Sequence, residues 1–185
     1  MLGRKKRYQS FCEVLFFVSA ISLILWAGYR LVIAVDFDIS YKQNIKKAVK
    51  ATTVEEARGY LKVAVVYLEK RNITKGHTSI FLQSKDENVG LWYIGVKKSL
   101  NSLNKVTTDT TEVGEEKILL QLRKKLTRPS FLGNQVVFPA GISVYPSNTL
   151  IFYWGMISLV VCIICILSAY RRIGITDHDI SGSIA

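Results

Sequence analysis

Two long apolar runs bracket the chain. Residues 11–35, FCEVLFFVSAISLILWAGYRLVIAV, carry only Glu13 and Arg30 as charges, and residues 150–169, LIFYWGMISLVVCIICILSA, carry none. At about 1.5 Å per residue they make helices of roughly 37 and 30 Å, enough to cross a hydrocarbon core of about 30 Å. Val32 and Ala34 would suit a cleavage site, but a secretory signal has only roughly 7–15 apolar residues, so the first run reads as an uncleaved anchor. The pattern divides the chain into a tail (1–10), a first span (11–35), a domain (36–149), a second span (150–169) and a tail (170–185).

Between the spans the apolar period becomes that of amphipathic helices. A first helix around 38–50 repeats Tyr41, Ile45 and Ala48. The second starts at the overlapping capping boxes of Thr52-Thr53-Val54-Glu55-Glu56, and Val54, Ala57, Leu61, Ala64 and Leu68 form one seam, with Gly76 past its end as a stop. Ser84 with Glu87 is another capping box, opening a third helix over 85–105 whose seam is Val89, Tyr93, Val96, Leu100 and Leu103. A fourth helix at about 111–127 turns Ile118, Leu119, Leu122 and Leu126 inward, with Glu115 and Glu116 early and Arg123, Lys124 and Lys125 late, an order that suits the helix dipole. Four such helices bury one modest core as two helical hairpins.

All three prolines, Pro129, Pro139 and Pro146, fall in RPSFLGNQVVFPAGISVYPSN. There QVVF and ISVY flank a Pro-Ala-Gly turn, which predicts an extended connector or a small hairpin, with HTSIFLQ (77–83) as a third strand.

The third helix raises a specific question, because Leu91, Trp92, Tyr93 and Ile94 are consecutive. At 100° per residue Tyr93 belongs to the core seam and Trp92 flanks it, while Leu91 and Ile94 fall on the opposite side with Lys98. Leu91, Trp92, Ile94 and Lys98 are therefore the candidate partner-binding residues, the alternative being that another helix covers them.

Charge orients the chain. The formal net charge is +11 over 185 residues, with 49% hydrophobic residues. Arg4, Lys5, Lys6 and Arg7 precede the first span and Arg171 and Arg172 follow the second, whereas Asp36 and Asp38 follow the first and residues 129–149 are uncharged. Both termini are expected in the cytoplasm and residues 36–149 outside. The expected fold is thus mainly α: two transmembrane helices flanking an extracytoplasmic helical bundle, with a small β hairpin before the second span.

That outer domain holds 18 Lys and Arg against 11 Asp and Glu, a net charge of +7. Such a surface is either simply solvated or attracted to anionic headgroups or acidic glycans. Lys42, Lys46, Lys47 and Lys50, next after the first span, are the candidate membrane-surface residues. Nucleic acid is not an expected partner, since no base-stacking sheet signature accompanies the charge.

The remaining chemistry is sparse. Cys12, Cys162 and Cys165 all lie in the apolar runs, so no disulfide is expected in the domain, and the CIIC pair has apolar surroundings and no nearby histidine. His77 and His178 are expected on opposite sides of the membrane. Asp177-His178-Asp179 reads as a solvated tail, and no nucleotide loop, zinc spacing or nucleophile elbow appears. No catalytic residues, metal or cofactor are expected. Glu13 and Arg30, about 25 Å apart along a helix, cannot pair within it; they snorkel toward the two interfaces or meet a partner subunit. Asn72-Ile73-Thr74 is a glycosylation sequon.

The runs GHTSIF, DENVGLWYIGVKKSLNSL, EEKILLQLRKKL and FPAGISVYPSN resemble a group of uncharacterised two-pass bacterial membrane proteins over roughly residues 50–155, with DENVGLWY the most specific part. The resemblance implies a bacterial inner-membrane location and a helical periplasmic domain, and it brings no activity with it. A weaker similarity links the two spans, the helical outer domain and the prolines before the second span to the polysaccharide co-polymerases, whose characteristic residues after the first helix are not found here. The functional expectation is a non-enzymatic membrane protein whose outer domain binds another membrane or periplasmic protein or self-associates; the alternative is a regulator of surface glycan export.

Overall fold

The computed structural model describes residues 2–106, 112–131 and 133–181, with side chains for all of these except residues 2–10, 112 and 172–181. The side chains of Arg4, Lys5, Lys6, Arg7, Asp177, His178 and Asp179, and the expected helix start at residue 111, lie outside that description. The chain forms two compact units, Met1–Arg30 with Thr149–Ala185, and Leu31–Asn148.

The first unit pairs α1 (Leu2–Phe37) with α6 (Asn148–Ser181), both long and apolar enough to cross a membrane. Both helices run beyond the apolar runs into the expected tails, where no proline stops them. Their contact is a small polar seam. The Trp26 indole N–H donates to the Ile151 carbonyl at 2.7 Å, the Ser22 and Ser158 hydroxyls meet at 2.9 Å, and the Trp154 indole N–H donates to Ser22 Oγ at 2.9 Å. Trp26 reaches that backbone because residue 155 is glycine; a Cβ there would sit 2.5 Å from the indole. In hydrocarbon such groups have no water to bond, so they are matched within the protein. The Arg30 guanidinium lies 5.5 Å from the Trp26 ring centre, a cation–π placement for a charge near one end of the run.

In the second unit the expected separate helix at 38–50 is not separate. Past Phe37 the helix continues through a π turn (Asp38–Lys42) into α2 (Gln43–Lys50). Tyr41, Ile45 and Ala48 are buried on it, as their spacing predicts, and Phe37 stacks on Tyr41 with ring centres 5.0 Å apart.

α3 (Val54–Lys70) starts where its capping residues place it: Thr53 Oγ1 accepts the Glu56 N–H at 3.3 Å, and the Glu56 carboxylate accepts from the Thr52 N–H at 3.4 Å. Its whole predicted seam is buried. The stop differs from expectation. The helix closes at Asn72 (φ 55°), four residues before Gly76 (φ 96°), with the Ile73 N–H bonded to the Leu68 carbonyl and the Asn72 N–H to that of Glu69. This is a Schellman end, and its buried Ile73–Leu68 side chains supply the accompanying apolar contact.

α3 packs on α2 and on α4 (Val89–Asn104), and α5 (Glu112–Leu126) packs against all three. Leu119, Leu122 and Leu126 are buried and Ile118 is half-buried against the core. Two arginines tie helix ends together. Arg58 of α3 donates to the Leu103 and Val106 carbonyls at the end of α4 (2.7 and 3.3 Å), and Arg123 of α5 donates to the Val49 and Ala51 carbonyls at the end of α2 (2.8 and 3.2 Å). A cation at a helix C-terminus satisfies orphan carbonyls and complements the dipole. Arg58→Met should therefore cost about 1–3 kcal/mol, read as a lower thermal midpoint of the detergent-solubilised chain. Arg58→Lys, which keeps the charge, should recover part of the loss.

The strands fall elsewhere than expected. The hairpin is β1 (Thr127–Ser130) with β2 (Gly133–Val136), antiparallel, Thr127 opposite Val136 and Ser130 opposite Gly133. ISVY does not pair with QVVF: Gly141 turns left-handed (φ 74°) and Ile142–Val144 form a 3-10 turn. Ile142 and Val144 are buried, so their alternation reflects packing without a partner strand. HTSIFLQ is no strand either, making only a single bridge between His77 and Asn88.

Candidate functional site

The entry to α4 is built from two successive caps. The Ser84 hydroxyl and backbone N–H both donate to the Glu87 carboxylate (2.8 and 3.1 Å), so the expected capping box is present, but it encloses only the 3-10 turn Lys85–Glu87. The Ser84 bonds hold the Glu87 carboxyl below its usual range. The α-helix proper begins one step later, with Asn88 Oδ1 accepting the Leu91 N–H at 2.9 Å. With that oxygen committed, the Asn88 amide nitrogen is left to donate to His77 Nε2, 3.2 Å away. Thr78 N–H to Glu87 O (3.0 Å) and Val89 N–H to Gly76 O (2.8 Å) fasten the preceding loop to this turn.

Along α4 the four consecutive apolar residues separate. Val89, Val96 and Leu103 are buried, and Tyr93 and Leu100 pack half-buried on the core. Trp92, expected among the partner-binding residues, is turned inward. Its indole N–H donates to the Val137 carbonyl at 3.0 Å and its ring meets Tyr41 edge-on at 5.1 Å, because 100° from Tyr93 still falls within the packed face. Leu91 and Ile94 remain 59% and 47% exposed, and Lys98 is exposed beside them. Among the described residues no helix covers that face.

Next to Leu91 lies an open groove of about 500 Å³ between the Ser84–Asn88 turn, the first turn of α4 and residues 137–140. Leu91, Trp92 and Phe138 give it apolar lining, and Lys85, Asp86 and Arg128 give it charge. Arg128 pairs with Asp86 across it at 3.8 Å. Ile94 and Lys98 do not line the groove; they extend its apolar and basic character along α4. Sequence reasoning missed Arg128 and Phe138, which arrive from the proline-containing connector and carry no local signal of what they face.

Below the exposed face, the Tyr93 hydroxyl donates to Glu69 Oε1 at 2.5 Å, and Lys97 Nζ lies 2.9 Å from both oxygens. The Tyr93 hydrogen bond is the main reason the Glu69 carboxyl is held low. This network clamps α4 to α3 and leaves Lys98 as the unclamped cation of the KK pair. Of the candidate membrane-surface lysines, Lys42 is half-buried, 4.3 Å from the Phe138 ring centre and 3.5 Å from Asp38, whereas Lys47 lies over Tyr60 and Lys46 and Lys50 are exposed.

Asp36 gathers a second polar cluster, accepting from the Tyr67 hydroxyl at 3.0 Å and from Arg71 at 2.7 Å. Burial first, and the Asp36 carboxylate next, push the Tyr67 phenol up to about 12 from its usual 10.0. The neutral phenol's contribution is complete below pH 10 and is lost as the pH rises toward 12. An ultraviolet alkaline titration of the folded chain should show Tyr67 ionising late and the buried Tyr41, whose phenol desolvation raises further, later still; Tyr67→Phe should remove the first of these and leave the second.

Among the described residues no group of three His, Cys, Asp or Glu could hold a metal ion. The groove offers an apolar surface, an amide cap and exposed charged side chains, an arrangement suited to holding a side chain or short segment. No protein-family model, curated protein or solved structure matches the chain.

Proposed function

We propose that the chain is a non-enzymatic two-pass protein of the bacterial inner membrane, with both termini cytoplasmic, whose periplasmic helical domain holds a protein partner on the face formed by Leu91, Ile94 and the adjoining groove. The observation that carries this reading is that α4 completes the core with Val89, Val96 and Leu103 while leaving Leu91 and Ile94 on its outer side. Lys98 and the domain's +7 charge favour a partner that surrounds an apolar anchor with carboxylates. The charge run before the first span and after the second supports the orientation.

The test is photocrosslinking in intact cells from a photoreactive residue at Leu91 or Ile94, with Val63, 53% exposed on α3, as the reference position. A discrete adduct from the α4 positions and none from Val63 is the expected result. An adduct the size of two chains would make the partner a second copy. No adduct from either α4 position, with the chain strictly monomeric in detergent, would reject the reading.

A further inference from the structure

Segment 70–85, KRNITKGHTSIFLQSK, joins α3 to the head of α4 and carries Lys70, Arg71, Lys75 and Lys85 with no acidic residue. Three hydrogen bonds within the second unit fix where it lies. At its start Arg71 is bonded to Asp36, the first residue after the apolar run 11–35. Further on, Asn148 Nδ2 donates to the Thr78 carbonyl at 2.5 Å and the Tyr145 hydroxyl bonds the Lys75 carbonyl. Asn148 is the first residue of α6, two positions before the apolar run 150–169. The segment is thus fastened to residues at which both apolar runs end or begin.

Leu82 follows Thr78 by four residues, within about 14 Å at full extension. It is 85% exposed, and Phe81 beside it is 71% exposed. Adjacent large apolar residues on a loop tip, flanked by exposed lysines and held near the ends of two apolar helices, match an interfacial element: an apolar tip enters the acyl boundary while cations meet headgroups. The α2 lysines are placed differently. The helix climbs about 1.5 Å per residue, so Lys50 stands roughly 20 Å along the axis from Asp36, against a headgroup layer of about 5–8 Å per leaflet.

We propose that residues 70–85 form a lipid-contacting loop, with Phe81 and Leu82 in the acyl boundary and Lys70, Lys75 and Lys85 on anionic headgroups. This rests on the reading that α1 and α6 cross a bilayer. In full-length protein with Cys12, Cys162 and Cys165 replaced by alanine, an environment-sensitive dye is attached at Leu82→Cys, Ile94→Cys or Leu159→Cys and the chain is reconstituted in vesicles of phosphatidylcholine and phosphatidylglycerol. The Leu82 label should be blue-shifted and quenched more by shallow than by deep spin-labelled lipid. The Ile94 label should respond only to aqueous iodide. Replacing Lys70, Lys75 and Lys85 together by glutamine should reduce the lipid quenching at Leu82. A Leu82 label quenched by iodide alone, or shielded from both quenchers as in a protein contact, overturns the proposal even when the Leu159 label is lipid-quenched and the spans stand. A Leu159 label that lipid does not quench refutes the spans, and the loop assignment falls with them.

Discussion

Trp92→Ala should lower the stability of the helical domain by about 3 kcal/mol, the low end for deleting a packed tryptophan, since the ring is half-buried. Two interactions are lost together: the edge-on contact with Tyr41 and the N–H bond to the Val137 carbonyl. Trp92→Phe separates them, because it keeps an aromatic ring against Tyr41 and leaves the carbonyl unbonded, at a cost of about 1–2 kcal/mol. Thermal unfolding in detergent, followed by the loss of helical circular dichroism, measures both. The pair also distinguishes two roles for this residue. Were Trp92 a partner-docking side chain, Trp92→Ala would leave the midpoint unchanged and abolish the adduct formed from Leu91. The inward placement predicts the reverse for Trp92→Phe, a lower midpoint with the adduct retained.

The second large effect is expected in the helix pair. In Gly155→Val the new Cβ meets the Trp26 indole at 2.5–2.9 Å, and the ring must leave the Ile151 carbonyl to which it donates. Overpacking and the lost interhelical bond together amount to about 2–4 kcal/mol of helix–helix association. Because the Ser22 and Ser158 hydroxyls touch at 2.9 Å, a Ser22→Cys/Ser158→Cys pair in a background free of native cysteines should form a disulfide on mild oxidation. Gly155→Val should suppress that crosslink, and adding Trp26→Ala, which removes the obstructing ring, should restore it. Unchanged crosslinking in Gly155→Val would show that the indole does not sit over residue 155.

The features legible in the sequence are those set by local period and local capping. The buried seam of α3, its start at Thr53, the inward leucines of α5 and the placement of Leu91 and Ile94 off the core seam all follow from residues a few positions apart. Asn72 is legible in principle: an asparagine followed by an isoleucine, just past a helix with leucine at its third-last position, fits a Schellman end, but Gly76 is the more conspicuous stop. The hairpin was misplaced because Ile142 and Val144 alternate like a strand when they are packed in a turn, whereas TRPS and GNQV have almost no apolar content to signal pairing. Arg58, Arg123, Trp26 and Gly155 act on partners 45 to 129 positions away. No period in the chain encodes those distances, and for the same reason the groove beside Leu91 was invisible although one of its walls had been identified.

The π turn at Asp38–Lys42 bears on how this chain can vary in length. A π turn closes each backbone bond one residue later than an α-helix does, as if one residue had been inserted. Removing one exposed residue of those five would restore an ordinary helix and keep Ile45 and Ala48 facing the core, whereas the same deletion in an unbulged helix would rotate everything beyond it by about 100°. Side chains on this stretch are open to substitution wherever they are exposed, as at Ile39. The number of residues is open there too: between Phe37 and Ile45 related chains should either keep the bulge or lack one exposed residue and run as a continuous α-helix, with Ile45 and Ala48 on the core in both.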